Sequence, residues 1–197
     1  MAAIEQLFLG VDAKWTKRSA GKVRLRIIGS AALMLQAPYE RGTKDSDVLE
    51  TDELTDETAR ELRRLAGVGT VLHKRHRMYV DIVPSGLPFL PQAPTCHDLV
   101  QLNARLDHLE LEILDVVDVV VSKLKRFNAN DRDDVAAMVE LDLVPHGRLV
   151  RRFRDAVDYF SGDARAEDLP KYVGNFHQVE RDLLVVQETD IELPNWV

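Results

Sequence analysis

Apolar residues alternate at Val23, Leu25 and Ile27, continue at Ile28, and end in Gly29-Ser30, after which Ala31-Ala32-Leu33-Met34-Leu35 follows at once. That pattern predicts a strand over about 23–28, a tight turn, and a helix over about 30–36 stopped by Pro38. Upstream, Ile4, Leu7, Phe8, Val11 and Trp15 recur at i, i+3 and i+4, which predicts an amphipathic helix over about 4–17. A second strand is expected over about 46–49. Thr55-Asp56-Glu57 then reads as a helix cap with acids in the first turn, the helix continuing through Leu62 and Leu65 to Gly67. Val71-Leu72-His73 and the run 78–83 are β-branched or aromatic and read as strand-like. A loop with Pro84, Pro88, Pro91 and Pro94 follows, and 109–114 alternates apolar and acidic residues as a further strand would.

From Asp115 the period changes. Val116, Val117, Val119, Val120, Leu124 and Phe127 suit one buried helical face, despite the low helix propensity of valine. Asn130 or Asp131 would cap another helix reaching about Leu141, with Val135, Met138, Val139 and Leu141 inward. Helices over about 147–160 and 168–185 and an irregular tail to Val197 complete the pattern. Strands and helices therefore alternate in the first part, and everything after about 115 is helical. Two domains are expected, 1–114 as an α/β core and 115–197 as a helical domain packed on it.

The chain has 197 residues, 45% hydrophobic and 30% charged, an ordinary globular balance. No apolar run approaches the roughly 20 residues of a membrane span, so no membrane partner is expected. The start, Met1-Ala2-Ala3-Ile4-Glu5-Gln6, has no basic region leading into an apolar stretch. Cys96 is the single cysteine, which excludes an internal disulfide and fits a reducing, cytoplasmic setting. A formal net charge of −7 argues against non-specific coating of nucleic acid. Locally the balance reverses: Arg60, Arg63, Arg64, Lys74, Arg75 and Arg77 cluster around His73 and His76, and Arg148, Arg151, Arg152 and Arg154 form a second group. Either group is a solvated face or a contact for a polyanion such as an RNA end.

Chemistry concentrates in the first half. On a strand, side chains at i and i+2 share a face, so Asp45 and Asp47 project together and repel unless a cation intervenes. Backbone N–H groups where the helix starts, at Gly29 and Ser30, suit phosphate oxygens. Asp81 stands inside the apolar run Tyr79-Val80-Asp81-Ile82-Val83, where burial is costly without a partner or metal. If its strand neighbours that of Asp45 and Asp47, three carboxylates converge and could hold two magnesium ions for phosphoryl or nucleotidyl transfer. The histidines make no such set: on a strand, His73 and His76 would face opposite ways, and His97-Asp98 reads as a helix cap. No P-loop, nucleophile elbow or dinucleotide fingerprint occurs.

Gly29-Ser30, then Arg41-x-Thr43-x-Asp45-x-Asp47, then Asp81 on a later strand, resembles the DNA-polymerase-β-type nucleotidyltransferase superfamily. Within it the chain is most similar to small bacterial nucleotidyltransferases related to the AbiE-type toxins of type IV toxin–antitoxin systems. Val121-Ser122-Lys123-Leu124-Lys125-Arg126 followed by Asp131-Arg132-Asp133-Asp134-Val135 extends the likeness, which spans about 23–140. The resemblance implies an α+β fold: a small mixed β-sheet core with helices, followed by a C-terminal helical bundle. It implies Gly29 and Ser30 on the β- and γ-phosphates, and Asp45, Asp47 and Asp81 as ligands of two Mg2+ ions, with Mn2+ as a substitute. Asp81 would also help activate the acceptor hydroxyl. Lys123 would reach a phosphate, Asp131 and Asp134 would position it or the nucleotide, and Arg41 and Lys44 would screen the triphosphate. For Asp131 and Asp134, helix capping is the competing role. Two departures stand out: Ser46 replaces the usual apolar residue between the aspartates, suggesting a more exposed or edge strand, and the long prolyl loop has no counterpart.

The implied reaction moves NMP from an NTP to a hydroxyl and releases pyrophosphate. An RNA or tRNA end is the first candidate acceptor, in a toxin-like role with a cognate antitoxin protein as partner. A protein or small-molecule acceptor belongs to the same superfamily. The rival is a non-catalytic nucleotide-binding protein, antitoxin or scaffold with the same fold.

Overall fold

The computed structural model describes residues 3–16 and 21–193. Helix α1 (Ala3–Asp12) buries Ile4, Leu7, Phe8 and Val11, the stripe its spacing predicts. It ends before Trp15, and Lys17, the expected terminus, lies outside the described residues. The early stop has a cause. A carboxylate is unfavourable at a helix C-terminus, and Asp12 instead accepts the backbone N–H groups of Asp107, His108 and Leu109 at 2.9, 2.8 and 2.9 Å.

Among the described residues, β1 (Val23–Ile27), β2 (Asp45–Leu49), β3 (Tyr79–Val83), β4 (Cys96–Asp98) and β5 (Leu109–Leu114) form one mixed sheet ordered β3-β2-β1-β5-β4. Strands β1 and β5 are parallel, as are β2 and β3, while β1–β2 and β4–β5 are antiparallel. Register and alternation give the sheet two unlike faces. Leu25, Ile27, Ser46, Val48, Val80, Leu109, Leu111 and Ile113 are buried on one. Arg24, Arg26, Asp45, Asp47, Asp81, Glu110 and Glu112 stand on the other.

Helix α2 (Gly29–Gln36) follows β1 directly, and the Gln36 amide ties its end to Leu114 O at 2.8 Å. Helix α3 (Asp56–Ala66) is capped as expected, the Thr55 hydroxyl accepting the Thr58 N–H. The run Val71-Leu72-His73 is not a strand but the start of helix α4 (Val71–His76). Local capping overrides β propensity there: Thr70 accepts the His73 N–H, and Arg77 ends the helix in the left-handed conformation at φ 57°. His73 and His76 are thus helical neighbours on one side, not on opposite faces of a strand. His97 and Asp98, expected to cap a helix, pair with Ile113 and Glu112 in the edge strand β4. The short helix α5 (Val100–Asn103) begins beyond them.

The chain divides into two compact units, residues 1–87 with 96–114 and residues 88–95 with 115–197. The prolyl segment 88–95 thus groups with the helices that follow residue 115. In this second unit Asp115 caps α6 (Val116–Lys123), whose valines are all buried. Asn128, rather than Asn130 or Asp131, caps α7 (Ala129–Glu140), and Asp131 answers as the reciprocal partner of a capping box. Val135 and Met138 point inward, but Leu141 is exposed because the helix has already ended. Helices α8 (His146–Phe160) and α9 (Leu169–Val179), with a π-turn at Glu180–Leu184, enclose Phe153, Tyr172 and Phe176. Phe89, from the prolyl segment, lies against Phe153, Phe160 and Tyr172 at ring separations of 5.6, 5.1 and 5.0 Å. Residues 185–193 have no regular structure, and Val197 lies outside the described residues. No described helix is long and apolar enough to cross a membrane.

Candidate active site

The turn between β1 and α2 sets the site. Gly29 has φ +64°, a conformation that strains any residue with a Cβ, and a Cβ placed there would sit 2.9 Å from Asp47 Oδ2. Glycine is required twice over, for the backbone and for the approach of the carboxylate. The Ile28 N–H donates to Asp47 O at 2.9 Å, which holds the turn and β2 together. The N-cap residue of α2, Ile28, has no side-chain acceptor to offer the first N–H groups of the helix. Ser30 is in its first turn, and Arg41 donates to Ser30 Oγ at 2.9 Å.

Strand β2 runs between β1 and β3, not at an edge, and Ser46 is fully buried, opposite to the exposure its position suggested. Its hydroxyl has no hydrogen-bond partner. Burying Ser46 puts Asp45 and Asp47 on the other face. In the parallel pairing, Asp47 is the register partner of Asp81, and Asp45 the partner of Tyr79. All three carboxylates therefore share one face, on two adjacent strands. Asp81 is exposed there, which corrects the expectation that it is buried: its apolar neighbours Val80 and Ile82 take the opposite side.

Each carboxylate has local company. Asp45 Oδ1 accepts the Thr43 hydroxyl at 2.6 Å, and Asp81 Oδ1 accepts the Ile82 N–H at 3.0 Å. Lys44 is exposed and its carbonyl accepts the Tyr79 N–H at 2.8 Å, extending the β2–β3 ladder. Tyr79 records the accumulated negative charge: burial first, then Asp45, Asp81 and Asp47, push its hydroxyl pKa above the ordinary 10.0. Further along the same face the charges neutralise one another, Arg24 with Glu110 at 3.0 Å and Arg26 with Glu112 at 3.1 Å. Asp45 and Asp81 have no such ion pair among the described residues. Thr43 and Tyr79 are the additions that sequence reasoning missed. Thr43 lay inside the quoted motif without a role, and Tyr79 enters only through a non-local register.

Lys123, Asp131 and Asp134 belong to the second unit and meet there. Lys123 is buried and lies 3.2 Å from Asp131 and 2.5 Å from Asp134, and Arg126 also grips Asp131 at 2.9 Å. Burial pushes the Asp131 pKa up, but Arg126 and Lys123 outweigh it and hold the carboxyl below the ordinary range. The cluster joins α6 to α7 and satisfies every charge it buries.

Carboxylate oxygens are hard donors suited to Mg2+ or Mn2+, and the shared face of Asp45, Asp47 and Asp81 fits such an ion by donor type and register. Asp45 and Asp81 are turned to separate partners, and among the described residues no three His, Cys, Asp or Glu side chains are gathered around one metal-sized space. No curated protein and no solved structure matches the chain. A family model does, over residues 6–184, and its description, nucleotidyltransferase of unknown function (DUF6036), names the family to which this chain belongs.

Proposed function

We propose that the protein transfers NMP from an NTP to a hydroxyl acceptor, an RNA or tRNA end first among the candidates, and releases pyrophosphate. The observation that carries the reading is the register of β2 against β3, which sets Asp47 beside Asp81 with Asp45 on the same face, next to the Gly29 turn. Asp45, Asp47 and Asp81 would hold Mg2+, or Mn2+, as a pair of ions. Bound there, the metal would neutralise the triphosphate and lower the pKa of the attacking hydroxyl.

The chain's own residues do the positioning. The start of α2, at Gly29 and Ser30, receives phosphate oxygens with backbone N–H groups. Arg41, already on Ser30, and Lys44 supply positive charge on the loop that leads into Asp45. Asp81 accepts the proton of the acceptor hydroxyl as that oxygen bonds to the α-phosphorus and pyrophosphate leaves. Lys123, with Asp131 and Asp134, to which the resemblance gives a phosphate role, forms a paired cluster within the second unit. A toxin-like role, restrained by a cognate antitoxin protein in the cytoplasm of a bacterium, completes the proposal.

Incubation with labelled NTPs, Mg2+ and total RNA tests it. Label should enter RNA with wild type and vanish with Asp47→Ala. No transfer under any NTP, or equal transfer by Asp47→Ala, overturns the reading. NTP binding indifferent to Mg2+ with no turnover would assign the fold a non-catalytic role.

A further inference from the structure

Arg24, Arg26, Arg64, Arg126, Arg132, Arg148, Arg152, Arg165 and Arg181 all sit in ion pairs. One surface gathers several cations that have no such partner. Arg60 and Arg63 on α3, Lys74 and Arg75 on α4, and Arg77 at its end are exposed, and none forms an ion pair among the described residues. From Val68 to Met78 the chain carries no acid. In a chain of net charge −7, five uncompensated cations on two contacting helices are not a generic solvated face.

The surface is also aimed. Helix α4 ends at Arg77, two residues before Tyr79 opens β3, and Tyr79 is the register partner of Asp45. Lys44 occupies the matching place before β2, hydrogen-bonded through its carbonyl to the Tyr79 N–H. The basic run therefore finishes at the end of the sheet where the carboxylate-bearing strands begin. Tyr79 is held there: the Gly69 N–H donates to His73 Nδ1 at 2.8 Å, and the His73 ring meets Tyr79 edge-on at 5.3 Å.

We propose that the α3–α4 face, through Arg60, Arg63, Lys74, Arg75 and Arg77, docks the sugar–phosphate backbone of the RNA acceptor and delivers its terminal hydroxyl to Asp45, Asp47 and Asp81. The inference rests on the nucleotidyl-transfer reading for its direction but not for its binding surface. RNA satisfies both halves of the arrangement in one molecule, phosphates for the unpaired cations and a hydroxyl for the carboxylates. Tyr79 offers a fixed ring for the last base. An acidic protein is the competing occupant, since Val68 and Val71 are exposed at the turn between the helices.

Binding of a labelled short single-stranded RNA, measured by anisotropy against NaCl concentration without NTP or metal, tests the surface apart from catalysis. Affinity should fall with salt, and each cation removed should flatten the log–log slope by about 0.7. Arg60→Gln/Arg63→Gln and Lys74→Gln/Arg75→Gln, all exposed changes, should each weaken binding roughly tenfold at low salt, as expected for two lost phosphate contacts. Asp47→Ala should bind RNA as wild type does. RNA binding that is absent in wild type, or unchanged in both double variants, overturns the proposal. So does salt-sensitive capture of polyglutamate in preference to RNA, lost in the same variants. NMP transfer by the double variants to an acceptor supplied in excess reports separately on the reaction: retained transfer with lost RNA affinity supports both readings, and lost RNA affinity in a protein with no transferase activity leaves the surface standing while the reaction falls.

Discussion

At the scale of single residues the site depends on what two positions lack. Gly29 lacks a Cβ, and Gly29→Ala would force a left-handed alanine 2.9 Å from Asp47 Oδ2. The strain should cost about 1–3 kcal/mol of stability, read as a lower urea midpoint. Displacing Asp47 should remove NMP transfer altogether. Ser46 lacks a partner for its buried hydroxyl. An unsatisfied buried donor costs about 1–3 kcal/mol, so Ser46→Ala should raise stability by about 1 kcal/mol and leave transfer near wild type. Thermal unfolding of the two variants should move in opposite directions. A rise in melting temperature for Gly29→Ala, or a fall for Ser46→Ala, contradicts the packing described around β2.

At the scale of elements, capping and ion pairing decide what propensity leaves open. Helix α4 is brief and opens on Val71, a residue that favours strands, yet Thr70 and Arg77 close both ends. Helix α7 is joined to α6 by the buried Lys123 between Asp131 and Asp134. Folding holds the Asp131 carboxyl below its ordinary 3.8, against the opposing effect of burial. A depressed carboxyl pKa contributes stability that is complete above the unfolded value and lost as pH falls through the folded one. Glu180 adds to the trend: burial raises its pKa, but hydrogen bonds from Thr189 and His146 overcome this and lower it. The helical unit should therefore hold its urea midpoint from neutral pH down to about 4 and lose it progressively below. Asp131→Asn should start from a lower midpoint and show a flatter acid limb. An unchanged limb would mean that the Lys123 cluster does not supply the stability assigned to it.

At the scale of the whole molecule, what was legible in the sequence was what depends on neighbours in the chain. The β1–Gly29–α2 unit, the pair Asp45 and Asp47, the Thr55 cap and the buried valines of α6 all follow from short-range periodicity and turn chemistry. What escaped depends on distant partners. The first helix is read as running to about 17 until the N–H groups of residues 107–109 claim the Asp12 carboxylate at its end. Asp81 looks buried until the register with β2 turns it to the open face, and the same register buries Ser46. His97 and Asp98 become strand only by pairing with β5. Phe89 is the plainest case, a lone aromatic in a prolyl loop that proves fully buried among Phe153, Phe160 and Tyr172. Because residues 88–95 group with 115–197, the helical unit is not a contiguous stretch of chain. A fragment of residues 115–197 would lack the ring around which its own aromatics pack. Phe89→Ala in the full chain imitates that loss, and truncating a buried phenylalanine costs about 3–5 kcal/mol. Such a cost is a large share of the stability of a small unit. Phe89→Ala should therefore show near-ultraviolet circular dichroism weakened at lower urea than wild type, and the 115–197 fragment should retain helical far-ultraviolet signal with little near-ultraviolet signal. A fragment with sharp, cooperative unfolding would show that the prolyl segment is dispensable, and the division of the chain at 88–95 would carry no energetic meaning.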